Sequence, residues 1–429
     1  ALSRPTKRVT TTEKVDLGDR TLMITRDENG KEISREELRK GAPPRLFAPP
    51  RAGGAGGTAG EPTLPDETLT AMAELAKHGC TTAFDHQYNF PRHAGKRIID
   101  RQFQAAEKIG LRFHAGRGGN TLPKSQGSTI PDEMLESTDE FITDCARLID
   151  TYHDPAPFGM RQVVVSPCQP VNCYRETFVE SVALARDKGV FLHTHAGEGE
   201  SPFIAARHGM RTVDYLESIG FCGPDTFYAH CWELTDAELR QLAASGTGVS
   251  HCPEPVYLVG AEVTDIPAMA AHGVRLGLGC DGAASNDNSN LMHCVHSAYM
   301  LQCLVAGTRA HPVPEPSDLL AYATTGGAAL LGRTDIGRLA PGMAADLFAI
   351  DTRRMDYVGT RHDPASLIAK VGIGMATDLT MANGRIIWAI SCSRCWRPLR
   401  AGSTCRAPPS LHRAPTRLPW RIRMRASSP

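Results

Sequence analysis

Seven short apolar runs, each closing on a polar side chain and separated by helix-patterned segments, constrain the fold of this chain more than anything else in it. The runs occupy 80–86, 111–117, 160–168, 190–198, 226–231, 246–252 and 274–281. Between them, apolar residues recur at helical spacing over 69–78, 97–109, 140–152, 175–188, 203–219 and 236–244, and again over 290–304 after the last run. The segment at 236–244 sits behind Thr235 and Glu238, the signature of a capping box. A strand–helix alternation of this length predicts a parallel sheet, and polar groups at so many carboxyl ends favour an α/β (β/α)₈ TIM-type barrel over an open sheet. Only seven strands can be found, so the first strand of such a barrel is missing or replaced.

The flanks differ in texture. Residues 1–63 carry a charged, helix-compatible stretch over 25–39 and then a Pro- and Gly-rich run, with few apolar positions at either period. They are expected to be an atypical, poorly structured segment, followed by the barrel over 64–334. Residues 335–390 hold two short strand patterns joined through Pro-Gly and Asn-Gly turns, which predict a small β element outside the barrel. The tail, 391–429, has nine arginines and no acidic residue, and is expected to be a basic disordered tail. Both flanks read as shifted-frame translation around an authentic core.

Formal net charge is zero over 429 residues, which argues against nucleic acid as a partner. The thirteen cysteines are scattered singly, and no apolar run approaches 18 residues. Reduced thiols, no membrane association and a cytoplasmic location are the expectation.

The richest strand end is 191–198, Phe-Leu-His-Thr-His-Ala-Gly-Glu. His193 and His195 share one face of a strand because side chains alternate with period two. His195 lies nearer the mouth of a barrel, while His193 is expected a layer down in the core. Glu198 falls where the strand turns into its loop, beside a metal-bound water rather than on the metal. Asp281 emerges from an apolar strand, which is costly for a carboxylate unless it is paired or metal-bound. Gly277 and Gly279 before it would let backbone and ligand approach closely. His230 and His251 end two further strands, each readable as functional or as a hydrogen-bonded core histidine. His86 and Tyr88 close the first visible strand, as substrate contacts or as buried structural residues. His293 and His296 read as helix packing, and Cys392 and Cys395 form an isolated CxxC pair with no second pair to complete a zinc site.

Several of these segments carry a family resemblance. HTHAGE (193–198), AHC (229–231), SHCPEP (250–255), GLGCDGAASND (277–287), IGRLAPGMAADLFAID (336–351) and MANGRIIW (381–388) resemble the amidohydrolase superfamily, in the branch holding cytosine and guanine deaminases, 8-oxoguanine deaminase and triazine hydrolases. GCTTAFDHQY (79–88) and GLRFHAGRG (110–118) are most similar to 8-oxoguanine deaminase-type members. The resemblance implies one divalent metal, zinc or alternatively Fe²⁺, with His195 and Asp281 as ligands. It makes Asp281 also a proton acceptor, Glu198 the proton shuttle, and His230 a group orienting water or substrate. His86, Tyr88, His251 and Ser285 become the substrate-contact candidates. The implied reaction is hydrolytic deamination of a purine-like heterocycle such as 8-oxoguanine or guanine. Triazine dechlorination or alkylamine hydrolysis at the same site is the alternative. A homo-oligomer is compatible with the resemblance. The family also draws two ligands from a His-x-His on its first barrel strand, and no histidine precedes His78 here. A further alternative is therefore an inactive, truncated barrel.

Overall fold

The computed structural model describes residues 11–16, 20–26, 32–39, 64–91, 95–286, 288–360 and 362–390. Its central feature is one parallel sheet of seven strands. These are β4 (Thr82–Gln87), β5 (Arg112–Gly119), β6 (Arg161–Pro167), β7 (Phe191–Ala196), β8 (Thr226–His230), β9 (Gly248–His251) and β10 (Arg275–Leu278). Every neighbour in this sheet is its neighbour in sequence, joined by helix-containing crossovers, as a singly wound barrel requires. Among the described residues the sheet stays open between β4 and β10, a curled half-barrel one strand short of closure. The seven runs of the sequence are therefore its strands.

Between β4 and β10 the helices form where the apolar spacing predicts, with two differences. The single helix expected over 203–219 is two, Ser201–His208 and Thr212–Ser218, because Gly209 adopts φ 72° and ends the first. Two short helices, Pro253–Val259 and Ile266–His272, fill the β9–β10 crossover and were not expected. The capping box is formed: Glu238 N donates to Thr235 Oγ1 at 3.3 Å, and Thr235 N donates to Glu238 Oε2 at 2.8 Å.

The amino end of the half-barrel is plugged by side chains. Val164, Phe227 and Leu330 are buried together with Phe84, Phe191 and Leu331 packed on them. Gly277 on β10 and Gly248 on β9 leave the space Leu330 fills, since a Cβ at either would collide with it. Gly277 thus serves the core rather than a ligand approach. Gly279, by contrast, stands close to Ser250 Oγ and Cys252 Sγ.

The outer element is a three-stranded antiparallel sheet, β11 (Leu347–Ala349), β12 (Leu379–Ala382) and β13 (Arg385–Ala389). Asn383 and Gly384, both at positive φ (46° and 77°), make the β12–β13 turn, as a tight hairpin demands. A buried charge ties this element to the barrel. Arg112 on β5, fully buried, pairs with Asp346 and donates to Thr82 Oγ1 at 3.1 Å.

One expectation for the amino-terminal region is corrected. Instead of a helix over 25–39, the structure has an antiparallel sheet of β1 (Thr11–Asp16), β2 (Arg20–Arg26) and β3 (Glu32–Arg39). The run Thr21-Leu22-Met23-Ile24-Thr25, with β-branched residues at three of its five positions, suits a pleated ribbon, so partner strands override the helix-compatible charges. The 391–429 tail and its Cys392/Cys395 pair lie outside the described residues. The ten cysteines that are described are all free thiols. No helix among the described residues is long and apolar enough to cross a membrane.

Candidate active site

The carboxyl ends of β4, β7 and β8, with the residue three beyond β10, bring the predicted chemistry together. One potential ligand atom from each of His195, His230 and Asp281 lies within 4.8 Å of the other two. His195 lies within β7, and the other two sit at abrupt chain turns. His230 (φ 69°) and Asp281 (φ 62°) adopt left-handed backbone, uncommon away from glycine and stored where function holds it. Cys231, next to His230, does the same at φ 55°.

The His195 ring has a defined proton. His195 Nδ1 lies 3.1 Å from Cys168 O, and a carbonyl can only accept, so Nδ1 carries the hydrogen and Nε2 keeps its lone pair. His230 Nδ1 has no hydrogen-bond partner among the described residues. Burial lowers the pKa of His195, although the Asp281 charge opposes it. Burial likewise lowers that of His230, against the same carboxylate. Both imidazoles are therefore held neutral, the form that binds a metal.

The two carboxyl groups are driven apart. Glu198 is buried, and burial pushes its pKa well above the usual range, helped by the charges of Asp281 and Glu200 and opposed by the Gln169 amide. Asp281 is also pushed up by burial, but His230, Ser285 and His195 outweigh this and hold it below its ordinary value. Ser285 Oγ donates to Asp281 Oδ2 at 2.5 Å. Such a pair offers an acid and a base at one pH. Glu198 Oε1 stands 3.5 Å from His230 Nε2.

Of the substrate-contact candidates, His86 and Tyr88 stand against the site. The His86 ring stacks on His195 with centroids 4.8 Å apart, and the Tyr88 ring meets His195 edge-on at 5.5 Å. Trp232 flanks the other imidazole, 5.3 Å from His230. Tyr88 and Trp232 thus give the site flat apolar walls. Ser285 reaches it through Asp281. His251 is fully buried at the end of β9, opposite Leu278 in register, and neither ring nitrogen has a partner among the described residues. His293 and His296 pack as expected, against Glu254 and Ala369 O.

Two residues outside the predicted set support the site. Gln169, just beyond β6, donates its amide to Glu198 Oε2, and Asn172 Nδ2 holds Gln169 Oε1 at 3.2 Å. Glu200 accepts from Gly197 N and Glu198 N, each at 2.7 Å, pinning the turn that aims Glu198. The strand-end rule used for the histidines could have found Gln169, because it follows directly on the run at 160–168. Nothing in the sequence marks Glu200 apart from its nearness to Glu198.

Two neutral imidazoles and one ionised carboxylate are the donor set of a catalytic zinc or ferrous site, and three protein ligands is its usual number. The residues present therefore fit such an ion without a first-strand pair.

The part of the chain that carries these residues is similar to known proteins. The family model for the amidohydrolase family matches residues 63–387. Over 321 residues the chain is 61% identical to hydroxydechloroatrazine ethylaminohydrolase of Pseudomonas sp. strain ADP, covering 75% of this chain and 67% of that protein. It is 38% identical to the 8-oxoguanine deaminase of Pseudomonas aeruginosa, covering 70% of this chain and 66% of the relative. Its matched part spans about two thirds of the length of these relatives. Among solved structures, the atrazine chlorohydrolase of Arthrobacter aurescens TC1 complexed with zinc superposes with a TM-score of 0.71 at 32% identity, covering 75% of this chain and 72% of that one.

Proposed function

Because the chain belongs to the amidohydrolase family, we propose that it hydrolyses the bond between a ring carbon of a nitrogen heterocycle and an exocyclic amine. The favoured ring is a triazine carrying an alkylamino group. The observation that supports this reading most strongly is the pairing of an acid-favoured Glu198 with a base-favoured Asp281 around His195 and His230.

His195, His230 and Asp281 are the residues that would hold a zinc ion. When bound there, such an ion lowers the pKa of water to about 7 and so makes a hydroxide-like nucleophile available. Asp281 accepts the proton that water gives up as it adds to the ring carbon. Ser285 steadies the carboxylate oxygen during that transfer. Glu198, protonated, donates to the ring nitrogen next to that carbon, which lets the ring accept the added electron pair. Glu198 then takes up the remaining proton of the newly added hydroxyl group, which becomes the carbonyl, and passes it to the departing amine, which leaves as the neutral molecule when the C–N bond breaks. The proton held by Asp281 returns to Glu198 and restores both carboxyl groups. Gln169 and Glu200 keep Glu198 aimed through both transfers. Tyr88 and Trp232 offer planar surfaces for the ring.

The purine reading stands second. The 61% relative is named for an ethylamine-releasing reaction on hydroxydechloroatrazine, whereas the 8-oxoguanine deaminase shares 38%. The leaving group separates them experimentally. Purified protein loaded with zinc is offered hydroxydechloroatrazine and 8-oxoguanine in parallel, with ethylamine and ammonia measured. Ethylamine release that exceeds ammonia release supports the triazine reading, and the reverse establishes the purine reading. Turnover of neither by folded, zinc-bearing protein rejects the proposal.

A further inference from the structure

Three histidine rings meet on the floor of the site, and only one of them belongs to the acid–base arrangement above. One potential ligand atom from each of His86, His193 and His195 lies within 4.8 Å of the other two. The rings touch in a closed set. His86 lies 4.8 Å from both His193 and His195, and His193 lies 5.9 Å from His195, centroid to centroid. The strand period explains the convergence, since His193 and His195 point the same way from β7 and His86 comes from β4.

Their hydrogen bonds resemble those of a preformed site. His86 Nε2 lies 2.7 Å from Ser166 O, His193 Nδ1 lies 3.0 Å from Phe227 O, and His195 Nδ1 lies 3.1 Å from Cys168 O. Each carbonyl can only accept, so each ring places its proton there and keeps a lone pair on the other nitrogen. An imidazole whose second nitrogen donates to a backbone carbonyl is the usual outer support of a metal-bound histidine. On His86 that other nitrogen, Nδ1, is buried without a partner among the described residues. Purely structural histidines would be expected to use both nitrogens or to expose one. Phe84 and Phe227 pack on the His193 ring at 4.8 and 4.5 Å and fix its plane.

We propose that His86, His193 and His195 form a second position for a first-row divalent transition metal, one that excludes simultaneous filling of the His195–His230–Asp281 position because both need His195. Three neutral nitrogens without a carboxylate suit Zn²⁺, Cu²⁺ or Ni²⁺ and disfavour Mg²⁺ and Ca²⁺. Donors around a tetrahedral ion stand roughly 3.3 Å apart at metal–nitrogen distances of about 2.05 Å. The three donors, now within 4.8 Å of one another, must therefore draw together by side-chain rotation as an ion binds. An ion there takes His195 away from the acid–base pair, so this position stores or inhibits rather than catalyses.

The inference is independent of the proposed reaction except through His195, and metal binding tests it without turnover. The double variant Asp281→Asn/His230→Gln removes two donors of the first position and leaves all three histidines of the second. Titrated with Co²⁺ and checked for folding by circular dichroism, it is expected to bind about one ion per chain, with X-ray absorption showing three imidazole neighbours. Adding His193→Gln is expected to weaken that binding at least about tenfold. If that triple variant fails to fold, His86→Asn in the same background makes the comparison. A folded double variant that binds no Co²⁺ overturns the inference, as does binding that neither His193→Gln nor His86→Asn weakens. Wild-type protein that turns over substrate while the double variant stays metal-free rejects the second position alone.

Discussion

Glu198 Oε1 stands 3.5 Å from His230 Nε2, and that carboxyl oxygen has no hydrogen-bond partner among the described residues. Its other oxygen is held by Gln169. One oxygen is thus anchored and the other left for transfer, as a proton shuttle requires. Glu198→Gln keeps the size and a hydrogen-bonding group toward Gln169 but cannot carry the proton. It should lower kcat by about 10²- to 10⁴-fold. Bound zinc, measured by elemental analysis, should stay at the wild-type level. A variant with wild-type kcat would remove Glu198 from the proton path.

Ser285 Oγ donates to Asp281 Oδ2 at 2.5 Å, a bond to a charged acceptor. Such bonds contribute about 1.5–3 kcal/mol. Ser285→Ala should therefore reduce kcat at least about tenfold, with less effect on KM. Steady-state kinetics on the released amine measures both. A change confined to KM would place Ser285 on the substrate instead of on Asp281.

Glu200 gives a pH-dependent stability of unusual sign. Burial, then the nearby Glu233 charge, raise its pKa from 4.5 to about 7, so the folded chain holds a proton the unfolded chain has lost between these values. Its contribution is full below pH 4.5 and is lost as pH rises through 7. The part due to this group is on the order of 3 kcal/mol at most. Melting temperatures of wild type across pH 5 to 8 should fall more steeply than those of Glu200→Gln. Parallel profiles would contradict the assignment.

Arg112 and Asp346 join the barrel to the outer sheet with both side chains almost wholly buried, at 0% and 6% exposure. Removing one partner strands a buried charge at a cost of about 3–5 kcal/mol, whereas removing both spares that cost. Urea denaturation should therefore show Asp346→Ala to be clearly less stable than Arg112→Leu/Asp346→Leu. Equal stabilities would mean that the pair does not carry the connection.

The parts of this fold governed by local periodicity were legible in the chain. Strands β4 to β10 follow from apolar runs, and His195, Glu198, His230 and Asp281 follow from where those runs end. The break at Gly209 was not foreseen, because a single glycine at a helix end looks like any other until its φ is known. The three strands of residues 11–39 were missed for another reason: pairing between strands, rather than helix-compatible charge, decides their conformation. His193 was placed in the core by strand spacing, and it is buried there. Spacing within one strand could not show that His86, from β4, would meet it. Gly277 illustrates the same limit, since its neighbour Leu330 lies 53 residues further along the chain.

The central claim is that His195 holds the ion on which hydrolysis depends, and it is the one residue common to both metal positions. The direct measurement is zinc content together with ethylamine release from an ethylamino-triazine, on the same preparations of wild type and His195→Ala. The expected result is about one zinc per chain and steady amine release for wild type, and loss of both in a folded His195→Ala. A folded His195→Ala that keeps its zinc and its turnover would contradict the account.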